Sequence, residues 1–339
     1  MKKILSLVLC VVLLSAICLS SVACNLSAFY TPEETTSQQT TPVQNEQEQP
    51  AQDQTDLDYN QALALLEKGD YEGAKALFEK LDGYKDSEEY LSKFYYMPIH
   101  FELKMTEKTG SIDVVYNSNN LPERDLITRN ETDKYVCDFV YDENGNILKQ
   151  IMNKDGGVST YEFTYGSAHG FPDVAVNTLH NGAQATHEFT RNEQGQLIRE
   201  VYTSEGVVMY DYNPIYDEKG NVIREEYRES DPAQIIYISY EYNENDQIVK
   251  MTRKFGSEYI VFEYTYDEQG NQIKEVYTYD DGHQIVYEYT YDEFGNRIKV
   301  VRTEDGEVEF LEINYKLLYL PLGFPTGSKY FFEQYWNIL

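Results

Sequence analysis

Cysteine is nearly absent from the body of this 339-residue chain: of four, Cys10, Cys18 and Cys24 fall within the first 24 residues and only Cys137 lies beyond them. No intramolecular disulfide can brace the body, and Cys137, alternating with Tyr135 and Phe139, reads as sheet packing rather than a nucleophile. Histidine is scarce as well, and His100, His169, His180, His187 and His283 show no metal-ligand spacing. Also missing are His-Glu-x-x-His, Gly-x-Ser-x-Gly, a phosphate-binding glycine loop and Cys-x-x-Cys. Asp142-x-Asn144-x-Asn146 has the start of a calcium loop, but its glycine comes two places early and Asn153 stands where the bidentate glutamate belongs. We therefore expect no catalytic residue, no metal and no cofactor.

Positive charge is the next shortage. Lys and Arg total 28 against 58 Asp and Glu, a net charge of −30, and discounting Lys2 and Lys3 of the first 23 residues takes it to −32. Nucleic-acid binding needs a basic face to meet phosphates, so that class is excluded, and the folded part should not adhere to anionic lipid. The exception is the start of the chain. Lys2-Lys3, an apolar run from Ile4 to Leu19 and small residues Ser21-Val22-Ala23 make residues 1–23 a secretory signal peptide. With the cysteine that follows, the segment resembles a bacterial lipoprotein signal, which implies lipidation of Cys24 and a place on the outer face of the cell membrane, held by the lipid anchor alone. Ordinary cleavage after Ser21-Val22-Ala23 would make the protein secreted instead.

Residues 24–57 are rich in Thr, Gln, Glu and Pro and read as a disordered tether. Over 58–97 the period becomes helical. Leu63, Leu66, Ala74, Leu77, Phe78 and Leu81 recur at helix spacing, Gly69-Asp70 breaks one helix from the next, and Asp86 with Glu89 predicts a capped third helix ending before Pro98. Lys68 to Leu81 resembles the inner half of a tetratricopeptide repeat, although Gly73 stands where that family usually carries a charge.

The abundant residue is tyrosine, 32 in all, and it is periodic. Tyr141, Arg191, Tyr216, Tyr242, Tyr266 and Tyr291 open copies of one unit about every 25 residues, with weaker copies at Tyr116 and Tyr165 and Tyr315 one period after the last. Tyr287, Tyr289 and Tyr291 alternate with Glu288 and Thr290, which is strand periodicity. Each Asp-Glu-x-Gly then puts glycine where a hairpin loop needs positive φ, and Asp246 stands in for it once. A four-residue loop would set Tyr289 opposite Ile298 and Glu288 opposite Lys299, Tyr264 opposite Ile273 and Glu263 opposite Lys274, with Glu188–Arg199 and Asp138–Lys149 repeating the acid–base pairing.

Tyr-Asp-Glu-x-Gly-Asn-x-Ile-Lys at 291–299, its relative at 266–274 and Tyr-Asp-Glu-Lys-Gly-Asn-Val-Ile-Arg at 216–224 resemble the YD repeats of the Rhs superfamily. That resemblance implies hairpins wound into a hollow shell, and with the strand and turn pattern the expected fold is mainly β, residues 99–315 forming a curled antiparallel β-hairpin meander, a half-shell or spiral with tyrosines on its concave side and acids facing water. The array is short for the family and lacks its self-cleavage core and toxin domain. Residues 316–339, dense in aromatics and holding Trp336, the single tryptophan, read as a cap over the last strand edge. Gly166–His180 interrupts the repeat and is the expected location of any specific site.

The function expected from this is a non-catalytic cell-surface scaffold binding an envelope or extracellular protein or glycan. A hydrolase of an envelope polymer using a carboxylate pair, or an accessory of an Rhs-type toxin system, is the alternative. A periodic sheet offers near-identical environments at each unit, whereas catalysis needs a few groups set apart from their neighbours.

Overall fold

The computed structural model describes residues 54–104, 109–129, 133–166, 170–229 and 235–324, with Ser328 and Phe331. The leader, Cys24 and Trp336 lie outside the described residues. Two compact units divide the chain, the first ending at Ser92 and the second running on from Lys93.

The first unit is helical: α1 (Gln54–Glu67), α2 (Tyr71–Lys80) and α3 (Ser87–Leu91). Asp70 caps α2 by accepting from the Gly73 backbone N–H at 3.1 Å, and a side chain at position 73 would crowd that carboxylate. Ala62, Ala74 and Phe78 are fully buried between the helices, and Tyr59 packs edge-on to Phe78. The expected third helix is cut short at Leu91. Asp86, its predicted cap, makes no capping bond and accepts instead from the Tyr59 hydroxyl. Residues from Phe94 onward, including Met97 and Pro98, are strand.

The second unit is a single sheet. Its strands are β1 (Phe94–Lys104), β2 (Thr109–Tyr116), β3 (Pro122–Arg129), β4 (Asp133–Tyr141), β5 (Ile147–Lys154), β6 (Gly157–Thr164), β7 (Val174–Thr178), β8 (Gln184–Arg191) and β9 (Leu197–Ser204). They continue as β10 (Val207–Tyr216), β11 (Val222–Glu229), β12 (Ile235–Tyr242), β13 (Ile248–Phe255), β14 (Glu258–Tyr266), β15 (Gln272–Tyr279), β16 (Gln284–Tyr291), β17 (Arg297–Glu304) and β18 (Glu307–Tyr319). Every strand pairs antiparallel with its neighbours in sequence, and β1 pairs with β18 from Phe94 opposite Tyr319 to Lys104 opposite Phe310. The sheet is therefore a closed 18-stranded barrel, which corrects the expected half-shell. The expected cap has no free edge to cover. Residues up to Tyr319 belong to β18, whose next residue, Leu320, donates its N–H to the Lys93 carbonyl.

The loops explain the register. Asp292 Oδ1 accepts from the N–H groups of Phe294 and Asn296, Gly295 sits at φ +80°, and the next strand begins with a bulge. That bulge adds residues to the connection. Tyr289 consequently lies opposite Val300 rather than Ile298, Lys299 opposite Thr290 rather than Glu288, and Tyr264 opposite Glu275 rather than Ile273. A slip of two residues keeps each side chain on its expected face, so the tyrosines still point inward. The acid–base pairs form across the opposite hairpins instead: Lys149 faces Glu162, Lys274 faces Glu288 and Lys299 faces Glu312. Two of those hairpins turn on Asp155-Gly156, at φ +52° and +80°, and Asp305-Gly306, at +49° and +82°, the two-residue geometry that matches strand twist, and the one joining Lys274 to Glu288 turns on the four residues 280–283. Asp246, at φ +57°, holds its loop without glycine.

The tyrosine that opens each unit has a specific task. Its hydroxyl reaches back one unit and donates to the carbonyl of the residue at the preceding bulge, as in Tyr266 to Ile248 at 2.7 Å and Tyr291 to Gln272 at 2.8 Å. Tyr116, Tyr141, Tyr165, Tyr216, Tyr242 and Tyr315 do the same, the first of them to Pro98 on β1. Among the described residues eight such bonds run around the barrel, and Arg191 holds the ninth position. Removing a hydroxyl leaves a partly buried carbonyl without its donor, at a cost of about 1–2 kcal/mol. Tyr266→Phe should lower stability by that amount in urea unfolding, while Tyr259→Phe, at an exposed position, should be neutral; equal effects would show that the rung is incidental.

Candidate ligand-binding face

The inner surface is uneven. One packed cluster joins Phe101, Ile112, Ile127, Tyr135, Cys137 and Phe139, with Phe331 from the C-terminal segment against Phe139 and Phe163. Ser328 lies beside it, donating to the Gly145 carbonyl and accepting from the Ile147 N–H, both at 2.8 Å. A second cluster centres on Tyr210, Tyr212, Tyr227, Ile236 and Ile238. Along β13–β17 the inner side chains are mostly half-buried. There Phe262, Tyr277 and Tyr287 form a run of rings with centroids 4.4 and 5.1 Å apart. These rings keep more solvent exposure than the side chains of the two packed clusters.

Acidic side chains also point inward, contrary to the expectation that they all face water. Asp125, Glu200, Glu225 and Glu275 are buried, each nine residues after a unit-opening residue, and Gln150 holds the same place. The first tyrosine of a Tyr-x-Tyr strand reaches them: Tyr240 donates to Glu225 and Tyr289 to Glu275, both at 2.7 Å. Glu200 accepts from Tyr210 at 2.6 Å and lies 2.8 Å from His187 Nδ1. Burial pushes the Glu225 carboxyl up to about 7 against the pull of the Tyr240, Tyr212 and Tyr227 hydroxyls, and raises Glu275 likewise. These acids recur with the scaffold and are clasped by it. Their recurrence was readable in the sequence, but without the bulge register nothing distinguished them from the outward acids.

Arginine marks the departures from the repeat. Eleven residues after the opening residue, the units carry Ile127, Met152, Tyr202, Tyr227 and Tyr277, whereas the units opened by Tyr242 and Tyr291 carry Arg253 and Arg302. Arg302 bonds Tyr287, Glu304 and Glu309. Arg253 has no hydrogen bond or ion pair among the described residues. Gly166–His180, the sequence's candidate location, supplies Phe171, whose ring lies 4.5 Å from the Arg191 guanidinium. That contact joins the irregular loop to the one unit lacking its opening tyrosine. Among the described residues no group of three or more His, Cys, Asp or Glu is arranged to hold a metal ion.

The outer surface carries the ion pairs Lys149–Glu162 and Lys299–Glu312, together with Arg124–Asp138 and Arg199–Asp211. Exposed apolar side chains stand among them, Val115, Val140 and Ile215 just before unit-opening tyrosines and Leu148, Ile198 and Ile223 at the bulges. No described helix is long and apolar enough to cross a membrane.

Neither family models nor curated proteins match the chain. The closure of the hairpins into a barrel overturns the expected YD-repeat half-shell, and the tetratricopeptide expectation is withdrawn with it. Among solved structures, a porin-like protein from Bacteroides uniformis ATCC 8492 overlaps at a TM-score of 0.38 and 11% identity, over 65% of this chain and 98% of that one. A porin-like protein from Bacteroides vulgatus ATCC 8482 gives 0.28 and 8%, over 66% and 99%. The TcdB2-TccC3 structure gives 0.28 and 11%, over 58% of this chain and 12% of that chain. Overlaps this loose carry no argument about function, and the closed fold rests on its own strand pairings.

Glu225 gives a test of the interior. A carboxyl whose folded pKa lies above its unfolded value binds its proton more tightly when folded, so its contribution is full below about 4.5 and falls as pH rises toward 7. Glu225→Gln should flatten the stability profile between pH 5 and 7 and exceed wild type by up to about 3 kcal/mol at pH 8. Parallel wild-type and variant profiles in chemical denaturation would show that Glu225 is charged and satisfied as it stands.

Proposed function

We propose that this chain is an exported, non-catalytic binding module of the bacterial envelope that takes an extracellular protein or glycan, with the half-buried rings of β13–β17 as the contact face. The observation that carries the reading is the contrast between that wall and the packed clusters elsewhere on the inner surface. Flat aromatic faces suit the apolar faces of sugar rings, and tyrosine adds a polar tip for hydroxyl groups. Its place on the inner face of a barrel favours a slender chain such as a glycan over the broad surface of a folded protein.

The competing hydrolase reading requires two carboxyl groups about 5–9.5 Å apart, facing one substrate. Glu225 and Glu275 stand four strands apart, roughly 19 Å along the sheet at about 4.8 Å per strand. Glu200 and Glu225 are nearer, but each is held by tyrosine within its own wall. The test is retention of immobilised oligosaccharides, with mass spectrometry of the eluted sugar. We expect intact sugar and about tenfold weaker retention for a Phe262→Ala, Tyr277→Ala double variant; shortened sugar in the eluate would favour the hydrolase.

For attachment, the reading is a lipid anchor on Cys24, at the head of the tether of residues 24–57, whose last residues the structure places in α1. Metabolic labelling with a fatty-acid probe should mark wild type and leave Cys24→Ala unmarked. Equal labelling of both, or of neither, would make the protein a secreted one.

A further inference from the structure

Arg253 lies on the inner face of β13, opposite Ile238 of β12 and Ile260 of β14. The transverse row through it reads Glu225, Ile238, Arg253, Ile260, Tyr279, so its immediate neighbours across the sheet are two isoleucines. Along its own strand it stands between Met251 and Phe255, both packed on the second cluster. Its unit carries Met251 where four others carry a buried acid, so the scaffold removes the carboxylate that would have lain beside it. Arg302, at the equivalent place, shows what a satisfied arginine looks like here, with two glutamates and a tyrosine hydroxyl.

A guanidinium carries five N–H donors in one plane and does not give up its charge. Burial is the largest influence on Arg253 and holds its pKa below the usual arginine value, while Tyr227, Glu229 and Tyr279 act on it through space without bonding it. The group is thus a partly desolvated cation with unused donors, among mainly aliphatic neighbours, at a position where the repeat would otherwise place an apolar or aromatic side chain.

We propose that Arg253 anchors the carboxylate of an acidic sugar, with the Tyr279 ring, two strands along the same row, as a surface for the pyranose. This rests on the glycan reading above and narrows it to carboxylated saccharides. A planar carboxylate accepts two parallel N–H bonds from a guanidinium, a match that a neutral sugar cannot supply. The net acidity of the protein opposes approach of an anion from afar, but at physiological salt that repulsion is screened beyond about 8 Å.

The experiment uses the mature chain and two probes of equal length, a tetragalacturonate and the neutral galactose tetramer, titrated calorimetrically against wild type, Arg253→Gln and Arg253→Lys. The expected result is preference of wild type for the acidic tetramer, about tenfold weaker binding of it by Arg253→Gln, and partial recovery in Arg253→Lys, which restores a point charge but not the planar fork. Binding of both tetramers equally by wild type and Arg253→Gln would keep the glycan reading and overturn the role of Arg253. Binding of neither would overturn the acidic-sugar proposal itself. Should the glutamine variant fail to fold, the wild-type preference between the two tetramers, and its presence or absence in the lysine variant, still decides the matter.

Discussion

The barrel depends on one recurring bond, the tyrosine hydroxyl that satisfies a carbonyl released by the bulge of the preceding unit. A bulge disrupts the ladder locally, and a buried carbonyl without a partner is costly. The tyrosine answers that need and ties each hairpin to the one before it, beyond the strand pairing itself. Because Tyr116 makes this bond to Pro98 on β1, and Pro98 lies opposite Tyr315 on β18, the first and last strands enter the same scheme. The aspartate after the tyrosine is likewise structural, accepting backbone N–H groups within its loop.

Much of the unit was legible because its signals are local. The Tyr-x-Tyr alternation gives strands, Asp-Glu-x-Gly gives a turn, and the inward side of the tyrosines follows from period two. Closure was not legible. A hairpin repeat has the same local sequence whether its sheet stays open or meets itself, and β1, reading Phe-Tyr-Tyr-Met-Pro-Ile-His-Phe-Glu-Leu-Lys, carries none of the unit's loop signature. The register was missed for a narrower reason. Pairing Glu288 with Lys299 satisfied charge and polarity across the turn, and only the bulge moves that acid onto Lys274 instead.

The candidate face was harder still to read. Arg253 belongs to a run, Lys250-Met251-Thr252-Arg253-Lys254, that looks like an ordinary basic strand. Its meaning comes from the structure, which turns Lys250 and Lys254 outward and Arg253 inward. Gly166–His180, the visible irregularity, proves to be where Phe171 stacks on Arg191. The less visible irregularity, an arginine in place of an apolar or aromatic residue, is the one on which the proposed binding rests.

The pairing of β1 with β18 also sets an order of events in time. Each hairpin can form from residues close together in sequence, but the seam between Phe94–Lys104 and Glu307–Tyr319 must wait until both ends of the unit are available. Until then the growing sheet has two open edges, the feature that invites pairing between chains. The outward lysine and glutamate pairs and the overall negative charge act during that interval, keeping neighbouring chains apart while the seam is unmade. Much of the acidity that looks like a property of the finished surface is thus of use to the unfinished one.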